Sequence, residues 1–277
     1  MDSEQGVVTL TAARDERVYG GKAVSLGAAL RASLPVPPGI ALSAAFVDHI
    51  SRDGAATLET PLLAPLRDSR MAVRSSAVGE DSEGASFAGQ HATILNVAAH
   101  GLVDAIRAVW RSARSDAALA YRRRHGLVGE PVMGVVVQVL VEPVAAGVLF
   151  TRDPVTGANE RLIEAAWGLG EAVVSGLIIP DRYRLDPRGG IIEIEPGVKD
   201  VKIWYDGGHG TMEVPVPPAH HRALCLGAED LARLHALADR CCATWGPDLD
   251  LEFALGVDGT IYLLQSRPIT TIRSTTA

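Results

Sequence analysis

The sequence predicts a mixed α/β (α+β) protein, and three observations carry that prediction. Segments of helical period alternate with short apolar strand patterns through the first third of the chain. β-Branched residues dominate after Pro131, at Val135, Val136, Val137, Val139 and Val141, as strands prefer. Near the end, two apolar runs meet across Asp258-Gly259, a strong short-range hairpin signal. A length of 277 residues with 47% hydrophobic content suits two modest domains with real cores. We expect subdomains at residues 1–131 and 132–277, divided at the composition shift.

Each element follows from a local pattern. A helix from about Lys22 to Ala32 precedes the turn Pro35-Val36-Pro37-Pro38-Gly39, and a buried strand from Ile40 to Leu42 follows. Ser43 can cap a second helix whose apolar positions are Phe46, Val47 and Ile50. Met71 to Arg74 reads as a strand end, and the Ser, Gly and acidic stretch from Ser75 to Gln90 reads as a loop. Leu102, Ile106, Val109, Trp110, Leu119 and Tyr121 indicate one or two amphipathic helices, stopped by Gly126. Beyond the Val-rich run, strands are expected at Arg161–Ala166, Arg182–Leu185, Ile191–Ile194 and Val201–Trp204, then a helix from Glu229 to Ala243. Strands Leu249–Leu255 and Thr260–Arg267 close the pattern.

Composition excludes several classes. A net charge of -7 argues against a nucleic-acid binder, whose affinity rests on clustered Lys and Arg. The run Arg122-Arg123-Arg124 is more simply a solvated helix end. The apolar runs Val135–Val141 and Val144–Phe150 are too short to cross a bilayer, and the acidic start Asp2-Ser3-Glu4 is no signal peptide. A cytoplasmic protein is expected, with Cys225, Cys241 and Cys242 reduced, because they form neither a disulfide framework nor a metal motif.

The hairpin supports a register argument. If Asp258-Gly259 is a two-residue turn with both residues at positive φ, Val257 faces Thr260, Glu252 faces Gln265 and Asp250 faces Arg267. All four then share one strand face, with Leu249, Leu251 and Phe253 on the other. Two carboxylates, an amide oxygen and a guanidinium could hold Mg²⁺ and grip a nucleotide's phosphates. The simpler alternative is a solvent-facing strand with one salt bridge and one polar pair, and four residues alone do not decide.

Gly20-Gly21-Lys22 before a helix could offer an anion a charge and backbone N–H groups. It is not a P-loop, since the spaced upstream Gly is absent and Ala23 stands where Ser or Thr would bind Mg²⁺, and taken alone the segment reads more simply as a turn with a surface Lys. Arg74 opens into a loop with Gly79, Gly84 and Gly89 that could fold over phosphates, or could simply be a mobile surface loop. His209, between glycines, reads as a turn residue rather than a displayed nucleophile, and the His220-His221 pair likewise carries no catalytic context.

Together these segments resemble the N-terminal nucleotide-binding domain of the phosphoenolpyruvate synthase, pyruvate phosphate dikinase and rifampin phosphotransferase family. The matching runs are Gly20-Gly21-Lys22 with Ser25-Leu26-Gly27, Val36-Pro37-Pro38-Gly39, Val73-Arg74-Ser75-Ser76-Ala77 with Glu80-Asp81, Ser86-Phe87-Ala88-Gly89-Gln90 with Thr93, and Leu95-Asn96-Val97. They continue through Val137-Gln138, Gly147-Val148-Leu149-Phe150-Thr151 with Asp153-Pro154 and Thr156-Gly157, Trp167-Gly168-Leu169-Gly170-Glu171, Pro180-Asp181 and Leu264-Gln265-Ser266-Arg267-Pro268.

The resemblance implies an ATP-grasp-like fold in which two subdomains enclose a nucleotide cleft. It implies Lys22 and Arg74 on the phosphates, Gly89 and Thr93 in the lid, and Gln138 near adenine and ribose. It further implies Glu252 and Gln265 on Mg²⁺, Asp250 as a further acidic site position, and Arg267 on the transferring phosphoryl group. The implied activity is that of an ATP-dependent phosphotransferase, passing the β-phosphoryl group of ATP to a histidine on a swivelling domain and leaving AMP. That histidine would then phosphorylate pyruvate or another small acceptor. No such swivelling or substrate-binding domain is recognisable here, so both are expected elsewhere, in a longer protein or a separate subunit. The stretch between Ile50 and Met71 also looks shorter than the family's. Two rival readings remain: a non-catalytic nucleotide-binding regulatory or scaffold module, and an ATP-grasp ligase forming an acyl phosphate.

Overall fold

A computed structural model describes residues 6–53, 58–78, 92–124, 129–208 and 210–269. The chain divides into two compact units. One comprises Met1–Arg31, Pro37–Leu140 and Asp206–Gly210, the other Ala32–Val36, Val141–Tyr205 and Thr211–Ala277.

The first unit is built on a five-stranded antiparallel sheet of β1 (Val7–Thr9), β2 (Gly39–Leu42), β3 (Met71–Ala77), β4 (Thr93–Val97) and β5 (Met133–Val139). Their spatial order is β1-β2-β5-β3-β4. Ile40, Leu42, Met71, Val73, Val135 and Val137 point to one side. There they form a core with Phe46, Val47 and Ile50 of α3 (Ala44–Arg52) and with Leu102, Ile106 and Val109 of α4 (Leu102–Ser112). The other side carries helix α2 (Gly21–Arg31), preceded by the single turn α1 (Glu16–Tyr19). Ser43 caps α3 as expected, its Oγ accepting the Phe46 N–H at 3.2 Å. The short helix α5 (Asp116–Arg124) ends in the three consecutive arginines. The loop expected from Ser75 begins later, because Ser75, Ser76 and Ala77 continue β3 and are buried. Polar composition suggested a loop, but these residues pair with Val135, Gly134 and Met133. The rest of that loop, through Gln90, lies outside the described residues apart from Val78, as do Gly126 and His209.

The second unit holds a six-stranded antiparallel sheet. Its strands are β6 (Pro143–Phe150), β7 (Arg161–Trp167), β8 (Asp181–Leu185), β9 (Ile191–Glu195), β12 (Leu249–Gly256) and β13 (Ile261–Pro268). The order is β13-β12-β6-β7-β8-β9. A two-stranded ribbon, β10 (Val201–Tyr205) with β11 (Thr211–Pro215), and the single turn α6 (Glu171–Val174) pack beside it. Helix α7 (Ala228–Trp245) buries Leu231, Leu234, Leu237, Ala238 and Cys241. It covers the sheet face that carries Arg161, whose guanidinium bonds the His235 carbonyl and Asp239.

One carboxylate ties several loops of this unit together. Asp181, at the start of β8, forms a fully buried ion pair with Lys199. It also accepts the Gly197 N–H at 2.8 Å, the Cys225 N–H at 2.8 Å and the Tyr183 hydroxyl at 3.4 Å. The Tyr183 oxygen in turn accepts the Leu226 N–H at 3.1 Å. A buried charge is tolerated only with such compensation. Burial first, and then the neighbouring Cys225 and Asp181, holds the Tyr183 hydroxyl well above the usual phenol range.

The three cysteines are free thiols. His220 leans against Trp167 with ring centroids 5.7 Å apart, and a His221 ring nitrogen lies 2.8 Å from the Val216 carbonyl oxygen. Both histidines are thus engaged in packing. No helix among the described residues is long and apolar enough to cross a membrane.

Candidate functional site

In the first unit, antiparallel pairing places Arg74 opposite Val136 and Thr93, and Gln138 opposite Ala72 and Gly39. Paired residues share a side of the sheet, so Arg74, Thr93 and Gln138 all lie on the side away from the apolar core. Lys22 occupies the first turn of α2 on that same side. Both cations are deeply buried, Lys22 with 5% and Arg74 with 8% of its surface exposed, although neither belongs to the core. Gln138 is buried too, its amide donating to the Pro37 carbonyl at 3.1 Å, which fixes the side chain's orientation. Thr93, at the first position of β4, is exposed. Gly89 lies outside the described residues.

The approach of α2 to the sheet depends on glycines. A Cβ on Gly20, whose φ is +81°, would stand 1.8 Å from the Ser76 carbonyl oxygen. One on Gly134, the partner of Ser76 across the ladder, would stand 2.4 Å from the Tyr19 carbonyl oxygen. Close contact between the helix junction and two strand backbones therefore excludes side chains at both positions.

In the second unit the hairpin pairs Asp250 with Arg267 and Glu252 with Gln265, as the register argument expects. The route to that pairing differs. Only Gly259 has positive φ, at 78°, and Asp258 does not. The connection is a three-residue loop in which the Gly259 N–H bonds the Gly256 carbonyl at 2.9 Å and the Gly256 N–H bonds the Thr260 carbonyl at 2.8 Å. This is a turn followed by a left-handed glycine. The resulting ladder, with Leu255 opposite Ile261 and Phe253 opposite Leu263, is one residue out of step with the expected one. A bulge at Leu264 restores the step before Glu252 and Gln265. The two-residue turn is therefore wrong, and the pairing it predicted is present because two offsets cancel.

The four side chains occupy the face of β12 and β13 opposite Leu249, Leu251 and Phe253. They do not form a solvent-facing strand, since Asp250 and Gln265 are each only 8% exposed. Arg267 Nε donates to Asp250 Oδ2 at 2.8 Å. The other carboxylate oxygen, Asp250 Oδ1, is buried and finds no hydrogen-bond partner among the described residues. Burial pushes the Asp250 carboxyl above its ordinary range, Arg267 pulls it down, and Glu252 pushes it up again. An orphaned buried carboxylate oxygen is costly and marks a place where a cation or donor belongs.

This donor set is hard oxygen throughout, from Glu252, Gln265 and Asp250. Among the described residues no group of three His, Cys, Asp or Glu side chains is placed to hold a metal. Two carboxylates and an amide oxygen fit Mg²⁺, which takes one or two carboxylates and completes its octahedron with water and phosphate oxygens.

Across the same face the two rows continue through β6 and β7 to β8. One runs Arg267, Asp250, Phe150, Leu162, Arg184, and the other Gln265, Glu252, Val148, Glu164, Arg182. Arg184 is held by Glu160 at 2.6 Å and Glu193 at 2.7 Å, and Arg182 lies 3.5 Å from Glu164 and 3.8 Å from Glu195.

Two further residues set the site's geometry without being singled out by the sequence. Thr151 Oγ accepts the Leu249 N–H at 2.7 Å while its N–H bonds the Leu249 carbonyl at 2.9 Å, pinning the start of β12 one residue before Asp250. Ser76 bonds the first turn of α2 from β3. Each sits inside a run that matched the family, but a small hydroxyl residue gives no other sequence signal.

A protein family described as "Pyruvate phosphate dikinase, AMP/ATP-binding domain" matches residues 61–277. Similar curated proteins include a probable phosphoenolpyruvate synthase from Methanothermobacter thermautotrophicus, 33% identical over 95% of this chain and 45% of its own length. A rifampicin phosphotransferase from a Streptomyces species is 42% identical over 74% of this chain and 24% of its own. The chain thus spans less than half the length of these relatives. Among solved structures, the biotin carboxylase domain of a Hydrogenobacter thermophilus 2-oxoglutarate carboxylase aligns with 93% of this chain and 41% of its own. Its identity is 14% and the TM-score 0.41.

Proposed function

The chain belongs to the pyruvate phosphate dikinase AMP/ATP-binding domain family, and from that premise we propose that it binds Mg-ATP and passes the β-phosphoryl group to a histidine on a separate swivelling domain or subunit. One observation carries the reading: Asp250 with Arg267 and Glu252 with Gln265 stand side by side, with a buried Asp250 oxygen left without a hydrogen-bond partner among the described residues.

In this reading Glu252 and Gln265 hold Mg²⁺, and the bound ion supplies neutralisation of charge on the phosphate oxygens. Lys22 and Arg74 bind phosphates, and Gly89 and Thr93 belong to a lid. Gln138, oriented by Pro37, lies by the adenine and ribose. Asp250 holds Arg267 through Nε, so a buried carboxylate sets the direction in which the guanidinium faces the transferring group. Phosphoryl transfer asks little of a protein beyond positioning and charge stabilisation, which is what this set offers.

The imidazole nitrogen forms a bond to the β-phosphorus while the bridging oxygen leaves with AMP, and the γ-phosphoryl group passes to water or phosphate. The phosphohistidine then serves a substrate-binding domain or subunit, whose acceptor is pyruvate or another small molecule. Such chemistry belongs in the cytoplasm.

The test uses ATP labelled in its β-phosphate, with the chain alone and with a histidine-bearing partner domain of a relative. Label should reach the partner's histidine with release of AMP, and the chain alone should turn ATP over slowly. Rapid AMP formation by the isolated chain with label on its own histidine would overturn the division of labour. Binding of ATP with no transfer to any histidine partner would favour a regulatory nucleotide-binding module instead.

A further inference from the structure

Helix α2 begins at Gly21 with no side chain of its own to cap it. Its flanking residue, Gly20, is a glycine in a left-handed conformation. A helix start leaves backbone N–H groups without intrahelical partners, and the residue before the helix normally supplies an oxygen to the second or third of them. Here that oxygen arrives from another element. Ser76 Oγ, fully buried on β3, accepts the N–H of Ala23, the third residue of α2, at 2.9 Å.

Ser76 also stands two residues from Arg74 on the same side of the strand, while Ala23 directly follows Lys22. The tight seating of Gly20 on the Ser76 carbonyl closes the same junction from the backbone side. One hydroxyl therefore links the helix that presents Lys22 to the strand that presents Arg74.

We propose that Ser76 is a positioning residue of the nucleotide site, capping α2 in trans so that the Lys22 ammonium and the Arg74 guanidinium are held in a fixed relative placement for the phosphates. This rests on the Mg-ATP reading of Lys22 and Arg74. A cap made within one helix stabilises that helix alone, whereas a cap supplied by the strand that bears the second cation fixes the relative placement of two charges. Without the hydroxyl the first turn of α2 loses its anchor to β3, and ATP binding must re-establish it.

The experiment is a double-mutant cycle on the full chain, reading the Kd for Mg-ATP by calorimetry well below the unfolding temperature. Circular dichroism establishes that each variant is folded. Ser76→Ala should weaken ATP binding about five- to tenfold, the scale of one lost cap converted to affinity. In a Lys22→Met background the same change should cost less than about twofold, because the group that Ser76 positions is gone. A purely structural serine would lower the thermal midpoint and leave Kd unchanged, or weaken binding equally in both backgrounds. Either result overturns the proposal. If the unaltered chain binds no Mg-ATP, the nucleotide reading falls and this inference with it. If it binds, and Lys22→Met weakens binding while Ser76→Ala does not, only the role of Ser76 falls.

Discussion

Replacing Asp181 with Ala should be among the most destabilising single changes in the second unit. The carboxylate and Lys199 are both fully buried, and removing one partner of a buried pair costs about 3–5 kcal/mol because the other charge stays behind. The change also orphans the N–H groups of Gly197 and Cys225, both buried, at about 1–3 kcal/mol each where water cannot enter. These terms overlap, since entry of water would relieve part of each, and about 4–6 kcal/mol is the net expectation. Asp181→Asn keeps an acceptor and should cost less. Asp181→Ala combined with Lys199→Met should recover at least about 2 kcal/mol of the single-mutant loss, since the stranded charge is removed. Equilibrium unfolding in urea, followed by tryptophan fluorescence, suits the test: of four tryptophans, Trp167, Trp204 and Trp245 lie in this unit and only Trp110 in the other. A loss below about 1 kcal/mol for Asp181→Ala, or a double variant no better than the single one, would show that Lys199 finds other partners and that the pair is not what joins these loops.

Arg267→Ala should lower phosphoryl transfer by about three to five orders of magnitude while leaving the hairpin folded, by analogy with other arginines that face a transferring phosphoryl group; a loss below tenfold would make Arg267 a structural residue. Gly259→Ala should cost about 1–2 kcal/mol, because φ is +78° while the nearest atom to a new Cβ is Arg233 Nη1 at 3.7 Å; a urea midpoint unchanged from wild type would refute the backbone explanation. His235, beside Arg161, has its pKa lowered by burial and then by the Arg161 charge, against opposing pulls from Asp239 and Asp186. The unfolded chain therefore takes up this proton first, so the contribution is present above the unfolded value of about 6.5 and is lost as pH falls towards the lowered folded value. His235→Gln should flatten the loss of stability between about pH 7 and 5 seen in urea titrations, and an unchanged slope would exclude His235 as its source.

Much of the fold could be read from the sequence where one period dominated. Helix α3 and the closing hairpin were legible because a capping serine, apolar spacing and a turn glycine pointed the same way, and α2 from its helical period alone. Strand β1, of three residues, carries too little pattern to register. Ser75 and Ser76 look like loop residues yet complete β3, since burial by neighbouring elements overrides a weak intrinsic preference. The Val-rich run after Pro131 announces strands without saying which sheet they join. Its first strand, β5, pairs with β2 and β3, and the six-stranded sheet begins only at β6.

The candidate side chains were legible as types in a pattern, and Asp250, Glu252, Gln265 and Arg267 also as a register. What no pattern conveyed was their support. The oxygen that holds α2 and the hydroxyl that pins β12 come from residues 53 and 98 positions away in sequence.

The bulge at Leu264 changes how this hairpin should respond to insertions and deletions. Strand β13 spends one more residue than β12 between the turn and the carboxylates, so Leu264 is the single position at which the two strands differ in count. Removing it would leave Phe253 opposite Leu263 and Glu252 opposite Gln265 as neighbouring rungs of a regular ladder, with every site partner retained. Deleting Ser266 instead would slide Arg267 onto the opposite side of the sheet from Asp250. A residue can therefore be lost at this one rung without changing which side chain faces Glu252 or Asp250.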